Sequence, residues 1–157
     1  MTRDIDSVSR VGVVGAGTMG SGIAQVAAMA GYEVVMRDIE QQFVDDGFGT
    51  IDDSLDRLVA KDELSEAEAD AVRDRVTGTT DLEDLADCGL VVEAALEDMT
   101  VKQDIFADLD EVTDDEAVLA TNTSTLSITT IASATERPES VLGLHFMNPV
   151  PVMKGVE

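Results

Sequence analysis

The residues from Val11 to Gly22, Val-Gly-Val-Val-Gly-Ala-Gly-Thr-Met-Gly-Ser-Gly, constrain the fold of this chain more than any other stretch. A short β-branched apolar run reads as a buried parallel strand, and it breaks into glycines spaced G-x-G-x-x-G where a helical pattern begins. That order suits a dinucleotide pyrophosphate. Gly15 permits the tight turn, Gly17 removes a Cβ that would hold the backbone away from phosphates, and Gly20 lets the helix pack closely on its strand. Free N–H groups at the helix start then face the phosphates. The turn residues Gly15, Ala16, Gly17, Thr18, Met19 and Gly20 are therefore candidate cofactor contacts. Met19, Ile23, Val26, Ala27 and Ala30 follow at helical spacing, and Gly31 is placed to end the helix.

Glycine clusters are common in loops that only turn, so context decides. Tyr32 to Arg37 reads as a second strand, and it runs into Asp38, 23 residues after Gly15. The dinucleotide fingerprint calls for an acid about 20 residues on, where its carboxylate accepts both hydrogen bonds of an adenine-ribose diol. The same charge repels a 2′-phosphate and favours NAD over NADP. Arg37 is read as a solvated strand end, although an arginine there can also serve a 2′-phosphate.

Composition limits the alternatives. The 157 residues are one domain's worth, and a hydrophobic fraction of 44% with mean hydropathy +0.05 excludes general disorder. The chain carries 33 acidic and 10 basic residues, a formal charge of −23. The acids lie in short scattered clusters that look like solvated helix faces, and only Lys61, Lys102 and Lys154 are lysines. Many carboxylates with few lysines suit concentrated salt, where self-repulsion is screened, so a halophile's cytoplasm is expected. No basic patch exists to bind nucleic acid. No apolar run approaches the ~18 residues of a membrane span, and the acidic N-terminus has no apolar leader core, so a cytoplasmic protein is expected. Cys88 reads as a buried inert thiol, and one histidine and one cysteine far apart offer no metal-ligand spacing.

Further along, Val44, Phe48, Ile51, Leu55 and Leu58 mark one face of a long helix from Ile39 to about Ala60. Ser65 and Glu68 form a capping-box pattern that opens a second helix to about Arg75. Strand candidates follow at Val76–Thr80, Leu90–Glu93, Val118–Asn122 and Val141–Phe146. A helix with Val101, Ile105 and Leu109 on one face lies between the second and third of these. A brief helix capped by Ser127 precedes the last. Alternating strands and helices predict an α/β fold, a Rossmann-type doubly wound, mostly parallel sheet with a helical excursion after the second strand. Ligands would lie outside the carboxyl ends of its strands.

Those ends carry Glu93-Ala-Ala-Leu-Glu97 through Lys102, Thr121-Asn122-Thr123-Ser124, and Gly143-Leu-His145-Phe-Met-Asn148-Pro-Val-Pro-Val-Met-Lys through Glu157. With these segments in place the chain resembles the 3-hydroxyacyl-CoA dehydrogenase family over essentially all 157 residues. The His-Phe-Met-Asn-Pro segment is the most specific piece. The resemblance implies an NAD-dependent oxidation of L-3-hydroxyacyl-CoA to 3-ketoacyl-CoA in fatty-acid β-oxidation. By matching positions it implies that His145 takes the proton of the 3-hydroxyl, that Glu157 holds the imidazole, and that Ser124 hydrogen-bonds the substrate oxygen at the cofactor. It likewise implies that Asn148 lies beside the nicotinamide, that Glu97, Lys102 and Asn122 lie at the cofactor, and that Lys61 contacts the CoA phosphates.

The residues agree by a separate route. Alcohol oxidation needs a proton acceptor, and His145 is the one side chain here that ordinarily changes charge near neutral pH. A lone histidine is more often structural, but a strand's carboxyl end is where a base is needed. Prolines between His145 and Glu157 favour an extended turn that folds back. Glu157 also reads as a solvated terminal residue, and Ser124 as a turn or capping serine. Gly155 stands where the family usually has a larger apolar residue, which is expected to loosen the segment that positions Glu157. The family's C-terminal helical domain, which supplies one wall of the acyl pocket and most of the dimer interface, is not among residues 1–157. The resemblance therefore implies a homodimer or association with a separate C-terminal domain acting in trans. Rival readings are a non-catalytic NAD-binding or structural module and a related β-hydroxyacid dehydrogenase; the latter typically relies on a lysine.

Overall fold

The computed structural model describes residues 4–157. Its strands are β1 (Arg10–Val14), β2 (Glu33–Arg37), β3 (Val76–Thr79), β4 (Leu90–Glu93), β5 (Val118–Thr121) and β6 (Val141–Gly143). They form one sheet in the order β3-β2-β1-β4-β5-β6, every neighbouring pair parallel. The helices are α1 (Thr18–Met29), α2 (Gln41–Ala60), α3 (Glu66–Arg75), α4 (Met99–Val112) and α5 (Ile128–Ala132). Helices α1, α2 and α3 cover one face of the sheet, packing Ile23, Ala28, Ile51, Leu55 and Val72 against Val13, Met36 and Val92. On the other face α4 and α5 pack Phe106, Leu109 and Ile131 against Val35, Val91 and Leu119. Strands buried on both faces are near-continuously apolar, which is why β1 and β4 are legible as sequence. Each fully buried aliphatic or phenyl side chain contributes about 1.5–3 kcal/mol.

The excursion predicted after β2 is the α2–α3 pair. Its second helix opens on the expected capping box, with Ser65 Oγ accepting from Glu68 N–H and the Glu68 carboxylate accepting from Ser65 N–H. Gly31 ends α1 with φ +100°, a left-handed conformation that glycine adopts without strain. Cys88 is buried, and loss of solvent pushes its thiol up to about 11, which keeps it protonated and inert.

Two expected helix faces and one strand end are revised. The buried face of α1 runs through Gly20, Ile23, Ala24 and Ala28, while Val26 and Ala27 are half-buried and Ala30 is exposed. Contact at the glycines rotates the helix toward the sheet. On α4 the buried residues are Lys102, Phe106 and Leu109 rather than Val101, Ile105 and Leu109, because a buried carboxylate receives the lysine. Strand β6 ends at Gly143, three residues short of Phe146. Beyond it Phe146 pairs with Val156 as an isolated antiparallel bridge.

The register places one row of residues across the carboxyl edge: Thr79, Arg37, Val14, Glu93, Thr121 and Gly143 are successive partners. Asp38, Gly15, Ala94, Asn122 and Leu144 follow them directly. Residues distant in sequence thereby share one edge.

Candidate active site

Gly15 leaves β1 with φ +105°, and its N–H donates to Arg37 O at 2.8 Å. A Cβ on Gly20 would lie 1.8 Å from Gly15 O, so α1 starts against the turn only because that position has no side chain. A Cβ on Gly17 would meet no atom of the chain within 4 Å. Nothing in the protein requires a glycine there by contact, and the helix start is left open to a ligand. Asp38 ties the turn to β2, accepting from Ala16 N–H at 2.8 Å through Oδ2 and from Ile39 N–H at 2.7 Å through Oδ1. A carboxylate has about four acceptor positions, so two remain for a ribose diol. The turn opens onto a cavity of about 740 Å³. Ile39 and Phe43 border it on the β2 side, and Leu96, Val101 and Ile105 on the β4 side. Asp38, Asp46 and Arg37 are the charged residues of a largely apolar lining that fits an adenine ring and its ribose, and the residues present suit NAD. Val101 and Ile105, on the helix face marked by the sequence, line this cavity, and Ile105 also packs against the core under α4.

At the ends of β4 and β5 the construction is different. Glu93 is 0% exposed and Lys102 1%, and Lys102 Nζ lies 2.6 Å from Glu93 Oε2. Oε2 also accepts from Ala95 N–H at 2.7 Å, and Oε1 accepts from the Thr121 hydroxyl at 2.8 Å. The Thr123 hydroxyl donates to Glu97 and accepts from Leu126 N–H. Two buried charges are tolerated because each is paired and hydrogen-bonded. Lys102 and Glu97, expected at the cofactor, are not among the residues lining this cavity; Lys102 holds the ends of β4 and α4 together, with Glu97 3.9 Å from its Nζ.

His145 Nδ1 lies 3.2 Å from Glu157 Oε2. Between them Val152 and Met153 N–H both donate to Pro149 O, and the chain folds back so that His145 and Glu157 exchange backbone hydrogen bonds of 2.7 and 2.9 Å. Val150 is buried against Gly22, where a Cβ would approach it to 2.8 Å, and this contact seats the turn on α1. The fold-back expected from the prolines is therefore present, and the bridge forms with Gly155 facing open space. The imidazole side chain is 29% exposed, the Glu157 side chain 76%. His145 Nε2 has no hydrogen-bond partner among the described residues, and the same holds for the exposed Ser124 hydroxyl.

Lys61, at the end of α2, lines a smaller cleft of about 200 Å³ together with Thr18, Arg57 and Asn148. This joins three expected site residues, Thr18, Lys61 and Asn148, and adds Arg57. The four-residue spacing of Arg57 and Lys61 on one helix face was a readable signal for it. Glu93 carried no such signal, since an acid after three apolar residues looks like a strand end reaching solvent.

A parallel sheet in this order, with a glycine fingerprint after its first strand and an acid after its second, defines a dinucleotide-binding domain. The chain belongs to the 3-hydroxyacyl-CoA dehydrogenase family: the model of that family's NAD binding domain matches residues 10–157. It is similar to 3-hydroxybutyryl-CoA dehydrogenase of Mycobacterium tuberculosis, 52% identical over 153 residues, covering 97% of this chain and 54% of that protein. Similarity to 3-hydroxyadipyl-CoA dehydrogenase of Escherichia coli is 43% over 151 residues, 96% of this chain and 32% of the relative. The crystal structure of M. tuberculosis FadB2 superimposes with TM-score 0.94 at 51% identity, covering 96% of this chain and 53% of that one. The chain thus spans about half the length of such curated relatives.

Proposed function

We propose that this chain is the cofactor-binding half of a dehydrogenase that oxidises L-3-hydroxyacyl-CoA to 3-ketoacyl-CoA, with His145 as general base and Glu157 as its partner. The observation that carries the reading is the His145–Glu157 pair, 3.2 Å apart, on the sheet edge that also carries the glycine turn. When bound, NAD⁺ supplies the acceptor for the hydride that leaves C3 of the substrate. Asp38 and the turn hold the adenosine and pyrophosphate. With Nδ1–H donating to Glu157, Nε2 of His145 presents a lone pair and accepts the hydroxyl proton, and the carboxylate stabilises the imidazolium so formed. Ser124 orients the substrate oxygen, Asn148 lies toward the nicotinamide, and Lys61 with Arg57 attracts the CoA phosphates. The ring must begin neutral to accept that proton. The place of such a step is fatty-acid β-oxidation, in a cytoplasm of high salt.

The test is NADH-dependent reduction of acetoacetyl-CoA by this chain alone and joined to the C-terminal half of a relative. The chain alone is expected to bind NADH and turn over poorly. In the joined form His145→Gln is expected to lower the rate by about 10²- to 10⁴-fold with NADH affinity unchanged, the range for general acid–base catalysis. Adding Glu157→Gln to it should cost little more, since partners in one step are not additive. Full activity in His145→Gln would overturn the base, and losses that multiply would overturn the dyad.

A further inference from the structure

The side chain of Asn122 makes a bond that backbone makes elsewhere in the sheet. Thr121 is the register partner of Gly143, and Leu144 N–H donates to Thr121 O at 2.9 Å. Donors facing one neighbour recur every second residue along a strand, so the next is Phe146 N–H, whose partner by register would be the Thr123 carbonyl. By then β5 has ended. Thr123 N–H turns back to Thr121 Oγ1 at 3.3 Å, and the Thr123 hydroxyl is taken by Glu97. Phe146 N–H is accepted instead by Asn122 Oδ1 at 2.8 Å. Because the group facing Oδ1 is an N–H donor, the side chain must present its oxygen there. Asn122 is itself fixed, its own N–H donating to Glu93 O at 2.8 Å.

Phe146 adjoins His145 and bridges Val156 next to Glu157. A single side-chain bond therefore ties the ribbon that carries both His145 and Glu157 to the sheet, beyond the last backbone bond at Leu144. We propose that Asn122 is a positioning residue for the His145–Glu157 pair, its side-chain carbonyl extending the β5–β6 ladder by one bond and setting where the imidazole points. The amide nitrogen of Asn122 has no protein partner among the described residues. The functional consequence rests on the reading of His145 as base.

His145 is the only histidine, so its ring protons report the pair by NMR without ambiguity. In the otherwise native chain Glu157→Gln is expected to shift those ring signals, because the carboxylate is 3.2 Å from the ring. In an Asn122→Ala background the same substitution should shift them less, and Asn122→Asp, which keeps an acceptor oxygen in place, should restore the full response. A folded Asn122→Ala chain that keeps the full Glu157 response overturns the proposal, as does failure of Asn122→Asp to restore it. A second measurement needs no variant: the Phe146 amide of the native chain should be protected from hydrogen exchange, and exchange at the unprotected rate overturns the proposal. In the joined enzyme Asn122→Ala should lower kcat about tenfold with NADH affinity within about twofold, a split that general loss of stability does not produce. If His145→Gln proved fully active while the NMR coupling held, the catalytic reading would fail and the positioning role would stand.

Discussion

At the end of β1 the backbone itself makes the binding surface, whereas at the ends of β4, β5 and β6 polar side chains make it. The glycine turn exposes N–H groups and needs one carboxylate, Asp38, whose bond to Ala16 N–H closes the loop. Across the same edge, buried Glu93, Lys102, Thr121 and Thr123 and half-buried Asn122 form a lattice on which the His145–Glu157 ribbon rests. The first construction depends on what is absent, a Cβ at Gly17 and Gly20. The second depends on partners being present. Steric permission is local and robust to salt, while a buried charge is only as stable as its counter-ion.

The largest expected effect breaks the second construction. Lys102→Met leaves Glu93 buried without its cation, which costs about 3–5 kcal/mol, and replacing both residues by apolar ones of similar volume should recover most of it. Urea unfolding in molar salt measures this. A single-variant loss below about 1 kcal/mol would show that Glu93 relaxes to solvent and that the two ends differ less than their burial implies.

Next is the first construction. Asp38→Ala removes a charged acceptor and is expected to weaken NADH by about 1.5–3 kcal/mol, the range for hydrogen bonds to charged groups. NADPH should lose less, because a charge opposing its phosphate goes too. Calorimetric titration of both cofactors decides the matter. Equal losses would mean that Asp38 acts only through its bond to Ala16, holding the turn rather than reading the ribose.

The smallest effect per group, summed over the surface, is screening. With 33 acids against 10 bases the melting point should rise from dilute buffer to molar salt, as the screening length falls from about 10 Å at 0.1 M to about 3 Å at 1 M. Arg73 already pairs with Asp52, Asp56 and Asp70 across the α2–α3 pair, and hydrogen bonding to Asp52 above all raises its guanidinium pKa. Hydrogen exchange should show the largest gain in protection in those helices and little in the glycine turn. A melting point that stays level or falls with salt would remove the inference of a halophile.

The nucleotide half was legible because its signals are short-range. A β-branched run, glycines at set intervals and the Ser65–Glu68 box each act within a few residues, through sterics or one local hydrogen bond, and the acid after the next strand is found by its fixed offset from the glycines. Hydrophobic periodicity did less well on α4. It grouped Val101, Ile105 and Leu109 on one face and passed over Lys102, because nothing in a helical pattern marks a lysine as buried when its partner is nine residues upstream on a strand. The end of β6 was overestimated for a related reason, since Leu144 to Phe146 is apolar enough for a strand but lies past the end of β5.

The amino-acid sequence by itself determined the alternating fold, the turn, the acid that favours NAD and the residue types offered for chemistry. Each follows from backbone sterics or side-chain pKa range, which a residue carries wherever it is placed. Only the tertiary structure decided that Glu93 and Lys102 neutralise each other out of water, that Asn148 joins Lys61 at one cleft, and that Asn122 grips Phe146 from 24 residues away. Those contacts exist because parallel pairing brings distant strand ends into one row, and a buried polar group is stable only where that row supplies its partner.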